Sequence, residues 1–438
     1  MKYNDYEKLV NVPQTRNGSE EMEIKREHYM EQIHIRENNG MIKVITGVRR
    51  CGKSYLLFKL FRKELLARGI KEDHIVSIAL DNIENRSLRD PIALYQKLKQ
   101  SIQDEDQYYI LLDEIQFVPD FSEVLNSLLQ IDNVDVYVTG SNSKFLSSDV
   151  LTEFRGRGDE VRVYPLSFSE YMMGTGLSEE DAFNEYMTFG GLPRILSLKT
   201  DDQKAKYLTD LFEETYLKDI IEHNQIINTN ELENLVNILS SAIGSLTNPK
   251  KLQNIFQSVI QSDITDKTIK KYMDYLKDAF LIDIAIRYDI KGKKYINTPM
   301  KIYFVDQGLR NARLGFRQIE ETHLMENIIY LELKRRGYSV DVGLVEIRER
   351  DNDGSLRRKQ LEVDFIAYKG NNKYYIQSAF ALPDEEKRIQ EERPLINIGD
   401  SFKKIVVVGN HIKLKRDDNG ITTMGVRQFL LDQNSLDL

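Results

Sequence analysis

The sequence predicts an α/β chain: a parallel sheet covered by helices, then a helical region, then a second, strand-rich part of α+β type. Three observations carry this. Between Met41 and Gly140, short apolar runs (MIKVIT, HIVSIALD, YYILLD, VDVYVTG) alternate with helix-like segments (KSYLLFKLFRKELLARG, PIALYQKLKQSI, FSEVLNSLLQ). That alternation is the pattern of parallel strands joined by crossover helices. From about 166 to 281 most segments have helical periodicity, with a break at Gly190-Gly191-Leu192-Pro193. From 282 onward strand-like runs return as IDIAIRYD, KIYFVD, LEVDFIAY, KYYIQSAF and KIVVVG.

Composition narrows the classes. A chain of 438 residues is too long for one ordinary core, and its 41% hydrophobic and 30% charged residues are those of a globular protein. The apolar runs are strand-length, short of the ~18 residues of a membrane-spanning helix, so no membrane partner is expected. A net charge of −8 argues against a chain that coats nucleic acid over its whole surface, while leaving room for a local basic face. The single cysteine, Cys51, excludes an internal disulfide framework and fits a reducing compartment. With no apolar leader in the first twenty residues, the expectation is a cytoplasmic protein. The six histidines are scattered, without zinc-site spacing.

The chemistry begins at TGVRRCGKSY. Gly47-Val48-Arg49-Arg50-Cys51-Gly52-Lys53-Ser54 satisfies GxxxxGK[ST] between an apolar strand and an amphipathic helix. Glycines let the backbone turn its N–H groups inward, next to a helix N-terminus that favours phosphate. Lys53 is expected on the β/γ-phosphates and Ser54 on Mg²⁺. YYILLDEIQ supplies two carboxylates, Asp113 to hold the metal ion and Glu114 to polarise an attacking water. If VDVYVTG inserts beside the phosphate-loop strand, Asn142, or else Ser141, lies near the γ-phosphate. In FRGRGDEVRVYPLSF, Arg157, or alternatively Arg155, is a candidate finger for a neighbouring subunit's site; such a finger implies an oligomer. Arg49 and Arg50 occupy variable loop positions.

GVRRCGKS, LLDEIQ, VTGSNSKFLSS, the GR before PLSFSEY, and FGGLP, in that order, resemble the bacterial and archaeal AAA+-type ATPases that carry a C-terminal domain of unknown function. TIKKYMDYLKDAFLI, RYDIKGKKY, FVDQGLRNA and EVDFIA are similar to the same family, so the resemblance spans roughly 25 to 430. It implies ATP as the nucleotide, a P-loop NTPase core of AAA+-like type, a winged-helix segment and a degenerate, restriction-nuclease-like C-terminal domain; it supplies no cellular role. The expected organisation is an N-terminal helical lead over 1–38, the P-loop ATPase domain over 39–175, a helical lid and winged-helix region over 176–305, and the nuclease-like domain over 306–438.

The residues of the middle region fit a winged helix in their own right. PKKLQNIFQSVI and KTIKKYMDYLKDAFL flank a turn with Thr265 or Asp266 as N-cap, and Ile269, Tyr272, Met273, Leu276 and Phe280 form an apolar stripe. Lys267, Lys270 and Lys271 near the helix start, and Lys291, Lys293 and Lys294 in the wing, are candidate phosphate contacts to DNA. A solvated face on a protein-packing module is the equal alternative, which leaves DNA and protein partners both open.

Farther on, Glu326 on a helix, Glu362 and Asp364 on a strand, and Gln377 on the next follow a nuclease-like layout in which carboxylates hold Mg²⁺ and a lysine assists the attacking water. The lysine slot holds Ala379, and Lys373 is about 13 Å from Gln377 along an extended strand. That favours a fold kept for binding over an active nuclease. RERDNDGSLRRK (348–359) reads as a solvated basic turn.

Overall fold

The computed structural model describes residues 23–140, 154, 156–350 and 355–438. Five parallel strands form the first sheet: β1 (Ile42–Thr46), β2 (Ile75–Ala79), β3 (Tyr108–Asp113), β4 (Val134–Thr139) and β5 (Gly158–Arg162), in the order β2-β3-β4-β1-β5. β1 and β3 are buried along their whole length, as expected of strands covered on both faces. One face carries helices Pro91–Ser101 and Phe121–Leu128, which bury Leu94, Leu98, Val124 and Leu125. The other carries Glu27–Arg36 and the helix that runs from Lys53–Tyr55 through a π-helical stretch, Leu56–Phe61, to Arg62–Ala67. β4 is inserted between β3 and β1, pairing Lys43 with Tyr137 and Ile45 with Thr139. Buried Lys43 is ion-paired with Asp135 of β4, a contact that a register slip would break.

The helix expected as a separate N-terminal lead belongs to this core. Tyr29, Met30 and Ile33 are buried in it, and the Tyr29 hydroxyl accepts the backbone N–H of Tyr164 at 3.0 Å. β5 was not evident in the sequence, because GDEVR has a single apolar residue facing the core.

The helical middle runs from Phe168–Gly174 to Asp266–Asp278. Thr265 caps the last of these helices by accepting the Thr268 N–H at 3.2 Å, and Ile269, Tyr272, Met273 and Leu276 face inward. The hairpin that follows, β6 (Ile282–Asp289) and β7 (Lys294–Phe304), does not stop at the expected boundary at 305. It forms one edge of an eight-stranded mixed sheet with β8 (Ser339–Arg350), β9 (Leu356–Lys369), β10 (Asn372–Ala379), β11 (Lys403–Val408), β12 (Lys415–Arg416) and β13 (Ile421–Gly425). The order is β12-β13-β11-β10-β9-β8-β6-β7, and β6 joins through parallel pairing of 287–289 with 342–344. The stretch read as a basic turn is mostly strand: Arg348 pairs with Arg358 and Arg350 with Leu356 in a long β8–β9 hairpin. Helix Glu321–Arg335 packs on this sheet, with Tyr330 stacked 4.1 Å from Tyr303.

The helical middle is joined to the segment after β7 by a tight backbone contact. Helix Glu179–Phe189 ends at Gly190, which adopts φ 75°, and Asp306 caps helix Gln307–Arg313 beside it. A Cβ on Gly308 would lie 2.0 Å from the Phe189 carbonyl oxygen. Gly308→Ala is therefore expected to lower stability by about 2 kcal/mol or more, measured as the urea midpoint. An unchanged midpoint would mean that this contact is looser than described.

Candidate nucleotide-binding site and its connections

The loop after β1 turns on glycine. Gly47 has φ 136°, and a Cβ there would meet the Val163 carbonyl oxygen at 2.0 Å; Gly52 has φ 102° and opens the helix at Lys53 with no side-chain cap. Lys53 and Ser54 thus stand in the first turn of that helix, the end whose backbone N–H groups favour a phosphate. The Lys53 ammonium is buried over the loop, donating to the carbonyls of Gly47 and Val48 at 2.9 and 3.1 Å.

Asp113, at the end of β3, meets this loop. The Ser54 hydroxyl donates to its Oδ1 at 3.0 Å, and the Thr139 hydroxyl donates to the same oxygen. Burial, reinforced by the Glu114 carboxylate, pushes Asp113 up to about 7, against the opposing hydrogen bonds from Thr139 and Ser54. Glu114 has φ 53°, a left-handed conformation that costs a non-glycine residue about 1–3 kcal/mol and is typical of functional positions. Its backbone N–H donates to Thr139 Oγ1 at 3.1 Å, and the Gln116 amide donates to its carboxylate. Thr139 and Gln116 were not singled out in the sequence; their signal was position, one at the end of the inserted strand and one two residues past the carboxylate pair.

Arg49 is ion-paired with Asp219, and its carbonyl accepts the Tyr216 hydroxyl at 2.6 Å, so these residues tie the loop to the helical region. Cys51 is buried and free. Arg50 has φ 66°. Asn142, Ser141 and Arg155 lie outside the described residues. Arg157 is exposed, donating to Asn126 at 3.1 Å. The β1–β5 register puts it beside the start of β1, at the opposite end of the sheet from Gly47.

A further arginine matters more than its place in the chain suggested. Arg26, buried just before the first described helix, donates to the Cys51 carbonyl at 3.1 Å and the Tyr164 carbonyl at 2.6 Å, and is paired with Glu170 at 3.0 Å. It clamps the back of the phosphate loop. FGGLP lies alongside, with Pro193 Cγ 3.8 Å from where a Gly52 Cβ would be. The Gly191 N–H donates to Asp306 Oδ2 at 2.7 Å, and the Leu309 N–H to Oδ1 at 3.0 Å. Burial lifts Asp306 to about 6 despite these bonds. From Asp306 the chain leads straight back into β7.

In the C-terminal part, Glu326, Glu362 and Asp364 do come together, and Gln377 adjoins them, its Oε1 3.4 Å from the Asp364 N–H. The expectation that this cluster lacks a lysine is corrected: Lys301, on β7, lies among the three carboxylates. It escaped notice because it is outside the nuclease-like motif, although a lysine inside the apolar run KIYFV was a visible oddity. Lys373 is elsewhere, 3.7 Å from Asp400 and over the rings of Tyr368, Tyr375 and Phe402. Ala379 is buried. Lys267, Lys270, Lys271, Lys293 and Lys294 are exposed, and Lys291, also exposed, donates to the Glu346 carbonyl at 3.0 Å.

A five-stranded parallel sheet with a strand inserted between phosphate loop and carboxylate pair defines a P-loop NTPase of AAA+-like fold. Residues 39–172 match the family model of an AAA domain, and 180–320 match a domain of unknown function. The chain is 33% identical over 414 residues to an uncharacterized protein of Haemophilus influenzae, covering 93% of this chain and 98% of that one. It is 28% identical over 371 residues to an uncharacterized protein of Methanocaldococcus jannaschii, covering 81% and 78%. The chain belongs to the same family as the Haemophilus protein, and its residues 39–172 carry the match to an AAA domain. More distant likenesses extend to the Aeropyrum pernix ORC1 protein in complex with DNA (12% identity, 69% of this chain and 93% of that one, TM-score 0.29). AMPPCP-bound DnaA from Aquifex aeolicus is similar at 14% identity, over 59% and 89%, with TM-score 0.30. No described helix is long and apolar enough to cross a membrane.

A raised carboxyl pKa sets a testable sign. Asp113 in the nucleotide-free fold favours its protonated form, so its contribution is fully present below the unfolded value of 3.8 and is lost as pH rises through about 7. Asp113→Asn is therefore expected to stabilise the nucleotide-free protein at pH 8 relative to wild type, with the gain shrinking toward pH 5. The difference between protonation states is on the order of 4 kcal/mol as an upper bound. Thermal midpoints of both proteins across this range test it; a pH-independent difference would contradict the burial argument.

Proposed function

We propose that the protein is a Mg²⁺-dependent ATPase whose nucleotide state is transmitted to the C-terminal part and alters the binding of a partner, with DNA as the favoured class. The observation that carries the hydrolytic reading is the Ser54–Asp113 contact at 3.0 Å, with Glu114 one residue on and Lys53 over the loop. This donor set fits the pair of ligands: glycine-built backbone and Lys53 for the phosphates, Ser54 and Asp113 for the ion. When bound, the Mg²⁺ ion neutralises phosphate charge. Asp113, raised when alone, gains a reason to be ionised in that setting. Glu114, held through its backbone by Thr139 and through its carboxylate by Gln116, serves as the base that orients a water. Asn142 is proposed as the sensor of the γ-phosphate. Arg157, remote from its own loop, can serve only a neighbour's site, which makes its finger role a proposal about an oligomer.

Transmission is supported by the contacts that leave the loop: Arg26 at its back, Asp219 and Tyr216 on Arg49, and Pro193 beside Gly52 leading to Asp306. DNA is favoured over a protein by the six lysines of the winged-helix region, which hold phosphates without reading sequence. Exposed Tyr295, on β7 next to Lys294, adds an aromatic ring suited to stacking on a base.

Steady-state phosphate release from ATP tests this reading. Lys53→Ala and Glu114→Gln are each expected to lower turnover at least roughly a hundredfold, with Glu114→Gln still binding nucleotide. Mixed DNA is expected to stimulate the wild type, and Lys270→Glu with Lys271→Glu to remove the stimulation. A wild type that turns over ATP equally with and without DNA would move the partner to a protein and make the chain a slow regulatory switch. A wild type that binds no ATP would overturn the reading altogether.

A further inference from the structure

The nuclease-like layout implies a divalent ion among Glu326, Glu362 and Asp364, and the residues present do not fit one. Lys301 is 3% exposed, and its Nζ lies 2.8 Å from Glu326 Oε1, 2.8 Å from Glu362 Oε1 and 3.0 Å from Asp364 Oδ1. The ammonium donates to Glu326 and to Asp364, and the Glu362 carboxylate completes the set as an ion pair. The surrounding atoms complete the arrangement. The Tyr303 hydroxyl donates to the same Glu326 oxygen at 2.7 Å, and the Ser378 N–H donates to Asp364 Oδ2 at 2.9 Å. A Cβ on Gly244 would lie 3.2 Å from both Glu326 oxygens, so backbone closes one approach.

An ion such as Mg²⁺ needs its oxygens at about 2.0–2.1 Å in octahedral array. The point these three oxygens share is already held by nitrogen. Seating a metal there means withdrawing the ammonium, and a buried lysine without its carboxylates is strongly disfavoured.

We propose that the Lys301 ammonium is a built-in substitute for the divalent ion, making the cluster a closed, metal-free centre that does not cleave nucleic acid. Its work is positional. It fastens β7 to β9 and to helix Glu321–Arg335, beside the bridge where Thr247 and Met300 exchange N–H and carbonyl contacts at 2.8 Å. Five residues after Lys301, the same chain reaches Asp306 and its bond to Gly191.

The test is Mn²⁺ binding by electron paramagnetic resonance on the full chain without nucleotide, comparing wild type, Asp364→Asn, Lys301→Met and Lys301→Met with Asp364→Asn. Any ion at Ser54 and Asp113 is common to all four. Wild type and Asp364→Asn are expected to bind the same number of Mn²⁺ ions. Lys301→Met is expected to gain one site at least tenfold tighter than any the wild type has in this part of the protein, and the double variant to lose it. A wild type that binds an ion lost in Asp364→Asn, or that cuts DNA with Mg²⁺ in an Asp364-dependent way, would overturn the proposal. So would a folded Lys301→Met that gains no site. If Lys301→Met does not fold, the wild type against Asp364→Asn decides alone. None of these outcomes depends on ATP turnover.

Discussion

The buried carboxylate of Asp306 holds the two halves of the molecule in register. It accepts one N–H from the turn that closes the helix before it, at Gly191, and one from the helix it caps, at Leu309. The neighbouring glycines have no space for a Cβ: one on Gly190 would meet the Asp306 carboxylate at 2.2 Å, and one on Gly308 the Phe189 carbonyl oxygen at 2.0 Å. Asn311 completes the seam by donating to the carbonyls of Met187 and Thr188 at 3.1 and 2.9 Å. A charge buried this far survives only where its hydrogen bonds are all made. The seam is therefore specific in geometry, and it sits between the phosphate loop and the edge of the second sheet.

Such an arrangement gives the loop few ways to move independently. Arg26 and Cys51 hold its back, Asp219 and Tyr216 its flank, and Pro193 its helix end. Tyr216 belongs to a π-helical stretch, Phe212–Leu217, and another, Leu56–Phe61, continues the loop's own helix. Such insertions recur near functional sites because they displace a helix by a fraction of a turn. At the far end, the Lys301 centre fastens β7, so a shift at Gly191 meets a strand that is anchored five residues away. The pieces are those of a rigid linkage rather than a flexible tether.

Most of the nucleotide site was legible because its parts are local in sequence. Gly47 to Ser54 is one contiguous motif, Asp113 and Glu114 are adjacent, and the strand VDVYVTG follows from the alternation of apolar runs, although its place between β3 and β1 comes from the fold. The geometry that supports them was not legible. Arg26 and Cys51 are 25 residues apart, and Thr139 and Asp113 are 26 apart; only folding brings them together. Lys301 is the clearest case. A motif search looks for a lysine on the strand of Gln377, whereas the fold delivers one from β7, 63 residues before Asp364. β8 was missed as well, since SVDVGLVEIRER mixes a buried half with an exposed, charged half. The β6–β7 hairpin and the rest of the C-terminal sheet read as separate units because nothing in the sequence of IDIAIRYD announces its pairing with 342–344.

The central claim is that nucleotide at the phosphate loop is felt at the Asp306 seam and along β7. Amide hydrogen exchange of segments 186–193 and 300–311, with and without Mg²⁺ and a non-hydrolysable ATP analogue, measures it directly. The account predicts a change in protection in both segments on nucleotide binding, and its loss in Arg26→Ala even where that variant still binds the analogue. Exchange that changes only around 47–54 and 113–116, with the seam indifferent to nucleotide, would contradict it.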